Sequence, residues 1–170
     1  NMIKQPELEQ YLSKAAWILK GPVDASDFKA YIFPLLFFKR ISDTYSEEYE
    51  NALKESNEDK EYASLPEFHR FIIPDGCHWN NVRETTTNVG IAIQAAIRGI
   101  EQSNQEFLYG IFGDAQWSNK NKLSDRLLID LIEHFSQYDL SNSNVDSDIL
   151  GNAYEYLIKH FADLTNKKAG

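Results

Sequence analysis

Between Gly21 and Tyr49 the chain reads GPVDASDFKAYIFPLLFFKRISDTYSEEY, its densest run of apolar and aromatic side chains, and a proline stands inside it. Phe28, Tyr31, Ile32, Leu35, Leu36, Ile41 and Tyr45 recur at helical spacing, while Phe33, Phe37 and Phe38 fill the opposite side. A helix that is apolar all round has to be covered all round. Pro34 removes one amide donor and crowds the carbonyl of Ala30, which costs roughly 3 kcal/mol in a helix interior. Burial of the surrounding aromatics, at about 1.5 to 3 kcal/mol per large side chain, outweighs that. The rest of the chain must therefore pack around this one helix, with a kink expected at Pro34. Gly21-Pro22 breaks what precedes it, and Asp24 and Asp27 offer acceptors to first-turn amides, which predicts a start near Ala25.

The flanking segments supply the cover. Leu8, Tyr11, Leu12, Ala15, Ile18 and Leu19 predict a helix from the Pro6-Glu7 turn to Gly21. Trp17 lies at the edge of that stripe and is read as core, with a partner surface as the alternative. After Tyr49 the pattern dissolves, and Glu55 to Glu61 reads as a solvated helix end and loop. Phe71-Ile72-Ile73, between Pro66 and Asp75-Gly76, suits a short strand or extended piece. Trp79 is expected to anchor a loop on the core, its indole needing a partner. Val89, Ile93, Ala96, Ile97 and Ile100 predict a helix to about Ser103, in which Gly90 and Gly99 permit close contacts. EFLYGIFGDAQW reads as an aromatic connector folded over the core. Ser124 caps a helix bearing Leu127, Leu128, Leu131, Ile132, Phe135 and Tyr138, and after the DLSNSN loop Asp146 to Asp148 open a last helix reaching Phe161. The sum is a mainly α fold, an irregular helical bundle with at most one short extended or β segment.

Several functions are disfavoured by composition. A net charge of −9 has the wrong sign for a module that holds DNA by phosphate neutralisation alone. Any DNA contact has to come from local basic spots: Lys120 and Lys122, on a polar loop without nearby carboxylates in sequence, then Lys167 and Lys168. Lys39 and Arg40 rank below them, as a solvated or salt-bridged end of the apolar face. Cys77 has no thiol partner in the sequence, and His69, Cys77 and His78 lack the spacing of a four-ligand metal site. No apolar run is long enough to span a membrane, so a cytoplasmic location is expected. Gly110 and Gly113 lack the strand, turn and lysine of a phosphate-binding loop.

The wording of three stretches carries more. LEQYLSKAAWILKG from Leu8 to Gly21, the PVDASDFK of Pro22 to Lys29 and the YIFPLLFFKRISD of Tyr31 to Asp43 resemble the N-terminal domain of the modification subunit of type I restriction-modification systems. Asp148 to Gly151 with Ala153 to Leu157 is similar to that family's helix entering its catalytic domain, and Lys167-Lys168-Ala169-Gly170 to the residues before its cofactor stretch.

The resemblance implies a helical N-terminal domain over residues 1–162, with 163–170 beginning a linker to an S-adenosylmethionine-dependent methyltransferase domain. It implies an adenine-specific DNA methyltransferase as the parent, whose partners are a second modification subunit, a specificity subunit, a restriction subunit and DNA. The glycine-rich cofactor turn and the Asn/Asp-Pro-Pro-aromatic box that such chemistry needs are absent from this sequence, which contains no Pro-Pro. No catalytic, cofactor-binding or metal-binding residue is therefore assigned, and the domain is expected to serve subunit assembly and closure around DNA. The alternatives are a free-standing helical interaction module, or a small enzyme using carboxylate or histidine groups.

Overall fold

The computed structural model describes residues 2–153, 155, 156 and 159. The named elements are all helical: α1 (Gln5–Leu19), α2 (Phe28–Glu55), α3 (Lys60–Ala63), α4 (Trp79–Arg83), α5 (Val89–Ser103), α6 (Gln105–Leu108) and α7 (Asp125–Phe135), with single 3₁₀ turns at Ala25–Asp27 and Pro66–Phe68. Residues 147–153 are helical as well. Among the described residues no strand forms.

Helix α2 is the axis on which the others pack. Its 28 residues span roughly 42 Å and continue through Pro34 without a break. Ile32, Leu35, Leu36 and Phe38 are completely shielded, so the proline sits where tertiary burial offsets its missing hydrogen bond. The helix starts at Phe28 rather than Ala25, because Asp24 accepts from the Ser26 amide at 3.3 Å and tightens the first turn into a 3₁₀ turn. It also runs past Tyr49 to Glu55: Ala52 and Leu53 form a small second core with Ala63, closed by Tyr49, Tyr62 and Phe68.

Helix α1 lies between α2 and α7. Its inner face is Leu8, Tyr11, Leu12, Ala15 and Leu19, and a polar clasp fixes it to α7. The Tyr11 hydroxyl donates to the Phe135 carbonyl at 2.6 Å, and His134 Nε2 donates to the Tyr11 carbonyl at 2.6 Å. Trp17, expected in the core, is 71% exposed. It lies nearly opposite Leu8 and Ala15 on the helical wheel, and among the described residues α1 is covered on one side alone.

Trp79 wedges between α2 and α7. Its backbone amide donates to Ser42 Oγ at 3.1 Å and its indole to Ser136 Oγ at 2.9 Å. Helix α5 has the predicted extent, and α7 starts where predicted, Ser124 accepting from the Leu127 amide at 3.1 Å, but it ends at Phe135, so Tyr138 lies beyond it. A Cβ on Gly90 would lie 1.9 Å from the Trp117 carbonyl oxygen, so this glycine admits the chain returning across α5. Of the aromatic connector, Phe112 and Trp117 are buried, whereas Phe107 and Tyr109 point to solvent. The segment around Ile72 is not part of a sheet. Asn104 takes the place of a partner strand, its side chain accepting from the Ile72 amide and donating to the Ile72 carbonyl, each at 2.8 Å.

Candidate functional site

The two loop lysines predicted from sequence stand on a rigid turn. Trp117 and Leu123 bury its two ends, and the Asn119 carbonyl accepts the amides of Lys122 and Leu123 at 3.2 and 2.8 Å. Folding supplies both lysines with carboxylates, contrary to the expectation from local sequence. Lys120 Nζ lies 3.8 Å from Asp125, and Lys122 Nζ lies 3.5 Å from Asp27 and over the Tyr31 ring. Hydrogen bonding to Tyr31, with Asp27 adding, holds the Lys122 ammonium above its usual range. Asp125 has a second task. It accepts from the amides of Asn88 and Val89 at 3.1 and 3.0 Å, capping α5 from the start of α7, and these bonds lower its carboxyl below the usual range. Lys167 and Lys168 lie outside the described residues.

Of the two readings of Lys39 and Arg40, a solvated or a salt-bridged end of the apolar face, the salt-bridged one holds for Lys39, which pairs with Asp43. Lys39 is buried, hydrogen-bonded to the Asp43 carboxylate and to the Tyr138 carbonyl at 2.8 Å. Asp43 Oδ2 also accepts the Leu140 amide at 2.7 Å, and burial pushes its carboxyl above the ordinary value against the pull of Lys39. The Arg40 guanidinium grips three carbonyls, Leu140 at 2.7, Val145 at 2.9 and Ser141 at 3.2 Å. Two turns beyond Arg40, Glu47 accepts from the Ser143 amide and hydroxyl. The middle of α2 thus holds the 138–145 segment, which leads into the helical residues 147–153. The Ile3 amide ties the other chain end to it through the Asn144 carbonyl at 2.8 Å. Nothing in local sequence marks this clamp, since its partners lie about a hundred residues apart.

Two of the histidines, His69 and His78, line a cleft of about 470 Å³ together with Tyr45, Tyr49, Ile72 and Asp75. His69 stacks on Tyr45 at 3.7 Å between centroids, with Nδ1 3.3 Å from Glu48 and Nε2 2.7 Å from the Ala63 carbonyl. Both ring nitrogens are engaged in holding α2 to the segment after it. Burial lowers the pKa of His78 and raises that of Cys77, whose sulfur packs against Gly99. Among the described residues no three His, Cys, Asp or Glu side chains are placed to hold a metal ion. No helix among them is long and apolar enough to cross a membrane.

The acidic groups are unevenly placed: Glu47, Glu48, Glu50, Glu55, Glu58, Asp59 and Glu61 crowd the C-terminal half of α2 and the turn beyond it, whereas Lys122 meets Asp27 just before its N-terminal end.

Comparison with known proteins places this arrangement. The model of the HsdM N-terminal domain family matches residues 8–135. The type I restriction enzyme MpnII methylase subunit of Mycoplasma pneumoniae is 24% identical, the alignment covering 98% of this chain and 38% of that protein. The crystal structure of the type I restriction-modification system methyltransferase subunit from Streptococcus thermophilus superposes with a TM-score of 0.71 at 22% identity, over 94% of this chain and 39% of the other. The chain spans less than two fifths of the length of these relatives, and the structural likeness is one of fold.

Proposed function

The chain belongs to the HsdM N-terminal domain family, and from that premise we propose that it is the N-terminal helical domain of the modification subunit of a type I restriction-modification enzyme. The parent protein, on this reading, is a cytoplasmic methyltransferase that moves a methyl group from S-adenosylmethionine to adenine N6 in a bipartite DNA site. It works with a second modification subunit and a specificity subunit, and a restriction subunit adds cleavage. The observation that carries the reading is the extent of the match: 98% of this chain aligns within a methylase subunit more than twice its length.

The domain itself serves assembly and closure around DNA. Its described residues contain no β-strand leading into a glycine-rich turn, so they do not fit a cradle for S-adenosylmethionine, and methyl transfer is assigned to none of them. What they provide is a rigid arm. The Lys39, Arg40 and Asp43 clamp fixes residues 138–145 and, through them, the direction in which the chain leaves the bundle.

Lys120, Lys122, Lys167 and Lys168 are the proposed DNA contacts carried by this reading. Lys120 and Lys122 would exchange Asp125 and Asp27 for phosphates. Reconstitution of the parent protein with a specificity subunit tests the whole proposal, with labelled S-adenosylmethionine and duplex DNA as substrates. Label appearing in adenine supports it, and an assembled complex that transfers none refutes it. In that complex, Lys120→Glu with Lys122→Glu should weaken DNA binding similarly across sequences and flatten its salt dependence. Unchanged affinity and slope would place this loop away from DNA.

A further inference from the structure

Trp17 is 71% exposed on a helix whose inner face is completely buried. Nothing in the packing of α1 requires an indole there. Lys14 and Lys20 stand three residues to either side, both exposed, and the Lys20 ammonium lies 4.5 Å from the Trp17 ring centroid. Among the described residues neither lysine has an ion-pair partner, whereas Lys120 and Lys122 are both paired. Gln10 and Ser13, also exposed, complete the face. It therefore presents two uncompensated ammonium groups, an indole N–H, an amide and a hydroxyl, with no carboxylate among them.

We propose that this outward face of α1, centred on Trp17 between Lys14 and Lys20, is a contact surface for the phosphate backbone of duplex DNA. The proposal rests on the reading that the domain closes around DNA, and it locates that contact on residues other than the loop lysines. Charge complementarity selects the occupant. On a chain of net charge −9, a phosphodiester is favoured where positive charge is in excess, and on this face the carboxylates of α1, Glu7 and Glu9, stand back towards its first turns, where they accept from the Lys4 amide and Gln5. Lys14 and the C-cap residue Lys20 are six positions apart, so their backbones are separated by roughly 9 Å along the axis. That is about the axial rise of two to three nucleotides of one strand, so both can neutralise phosphates of the same strand. The indole between them adds an N–H donor for a phosphate oxygen and a flat apolar surface for the sugar. Helix α1 leads through Gly21 to the 3₁₀ turn whose Asp27 pairs with Lys122, so this face and the loop lysines share one end of the bundle.

The test uses the reconstituted complex of the parent protein with its specificity subunit and a fluorescein-labelled duplex, titrated across a salt series. Lys14→Gln with Lys20→Gln should weaken binding about tenfold near physiological salt and reduce the slope of log affinity against log salt by about 2. Trp17→Ala should weaken binding several-fold with the slope unchanged. The part of the acrylamide quenching that is lost on Trp17→Phe reports Trp17, and DNA should protect it. A wild-type complex that assembles but binds no DNA would overturn the functional reading itself. A wild-type complex that binds DNA while the variants match it in affinity and slope would overturn this inference alone. Variants that fail to assemble with the specificity subunit, although their melting temperatures are unchanged, would overturn it in favour of an acidic protein surface on α1.

Discussion

At the scale of single residues, the polar groups that matter most are those buried against a distant segment. Lys39 and Asp43 form such a pair, with side-chain exposures of 6% and 17%. Asp43→Ala leaves an ammonium buried with one carbonyl as partner, and a loss of about 3 kcal/mol in urea unfolding is expected. Lys39→Met with Asp43→Leu, which removes both charges, should lose clearly less. Equal losses in the two variants would show that the packing of the stems outweighs the charges. Asp125 makes a prediction about pH. Its folded pKa is lowered, chiefly by the Val89 amide, so its contribution is complete above the unfolded value near about 4 and is lost as pH falls through the lower folded value. The melting temperature of Asp125→Ala should lie below wild type at neutral pH and converge on it in strong acid. A gap that stays constant down to pH 2 would show that the carboxylate charge is not what caps α5.

At the scale of elements, helix burial and close approach can be measured separately. Leu35 and Leu36 are fully enclosed on α2, and either one changed to Ala should destabilise by about 2 to 5 kcal/mol. Losses below about 1 kcal/mol for both would mean that this side of α2 repacks freely. The glycines separate propensity from space. Gly→Ala in a helix interior gains up to about 1 kcal/mol when nothing obstructs the new methyl group. Gly151 has nothing within 4 Å and should show that gain, whereas at Gly90 the Trp117 backbone blocks the methyl. Gly90→Ala should therefore lose about 1 to 3 kcal/mol. Thermal melts of the two variants moving in the same direction would contradict this account of α5.

At the scale of the whole molecule, carboxylates crowd the C-terminal half of α2 and the turn beyond it, and the described residues include no strand leading into a glycine-rich turn that would cradle the methyl donor. The 170-residue chain on its own should therefore not bind S-adenosylmethionine, and a micromolar dissociation constant by titration calorimetry would refute the assignment of methyl transfer to other parts of the parent protein. The amino-acid sequence by itself determined the helical class, the extent of α5, the start of α7 at the Ser124 cap and the family, all of which depend on residues close to one another, where periodicity and capping act. It also marked Trp79 as an anchor, although the partners, Ser42 and Ser136, lie 37 and 57 residues away. Tertiary structure alone decided that Trp17 faces solvent, that Lys122 meets Asp27, that Asn104 stands in for a strand, and that Lys39 and Arg40 hold the 138–145 segment. A helical stripe indicates which side of a helix is apolar. How far its neighbours extend across that side, and which charge meets which, depends on segments brought together from as much as a hundred residues away.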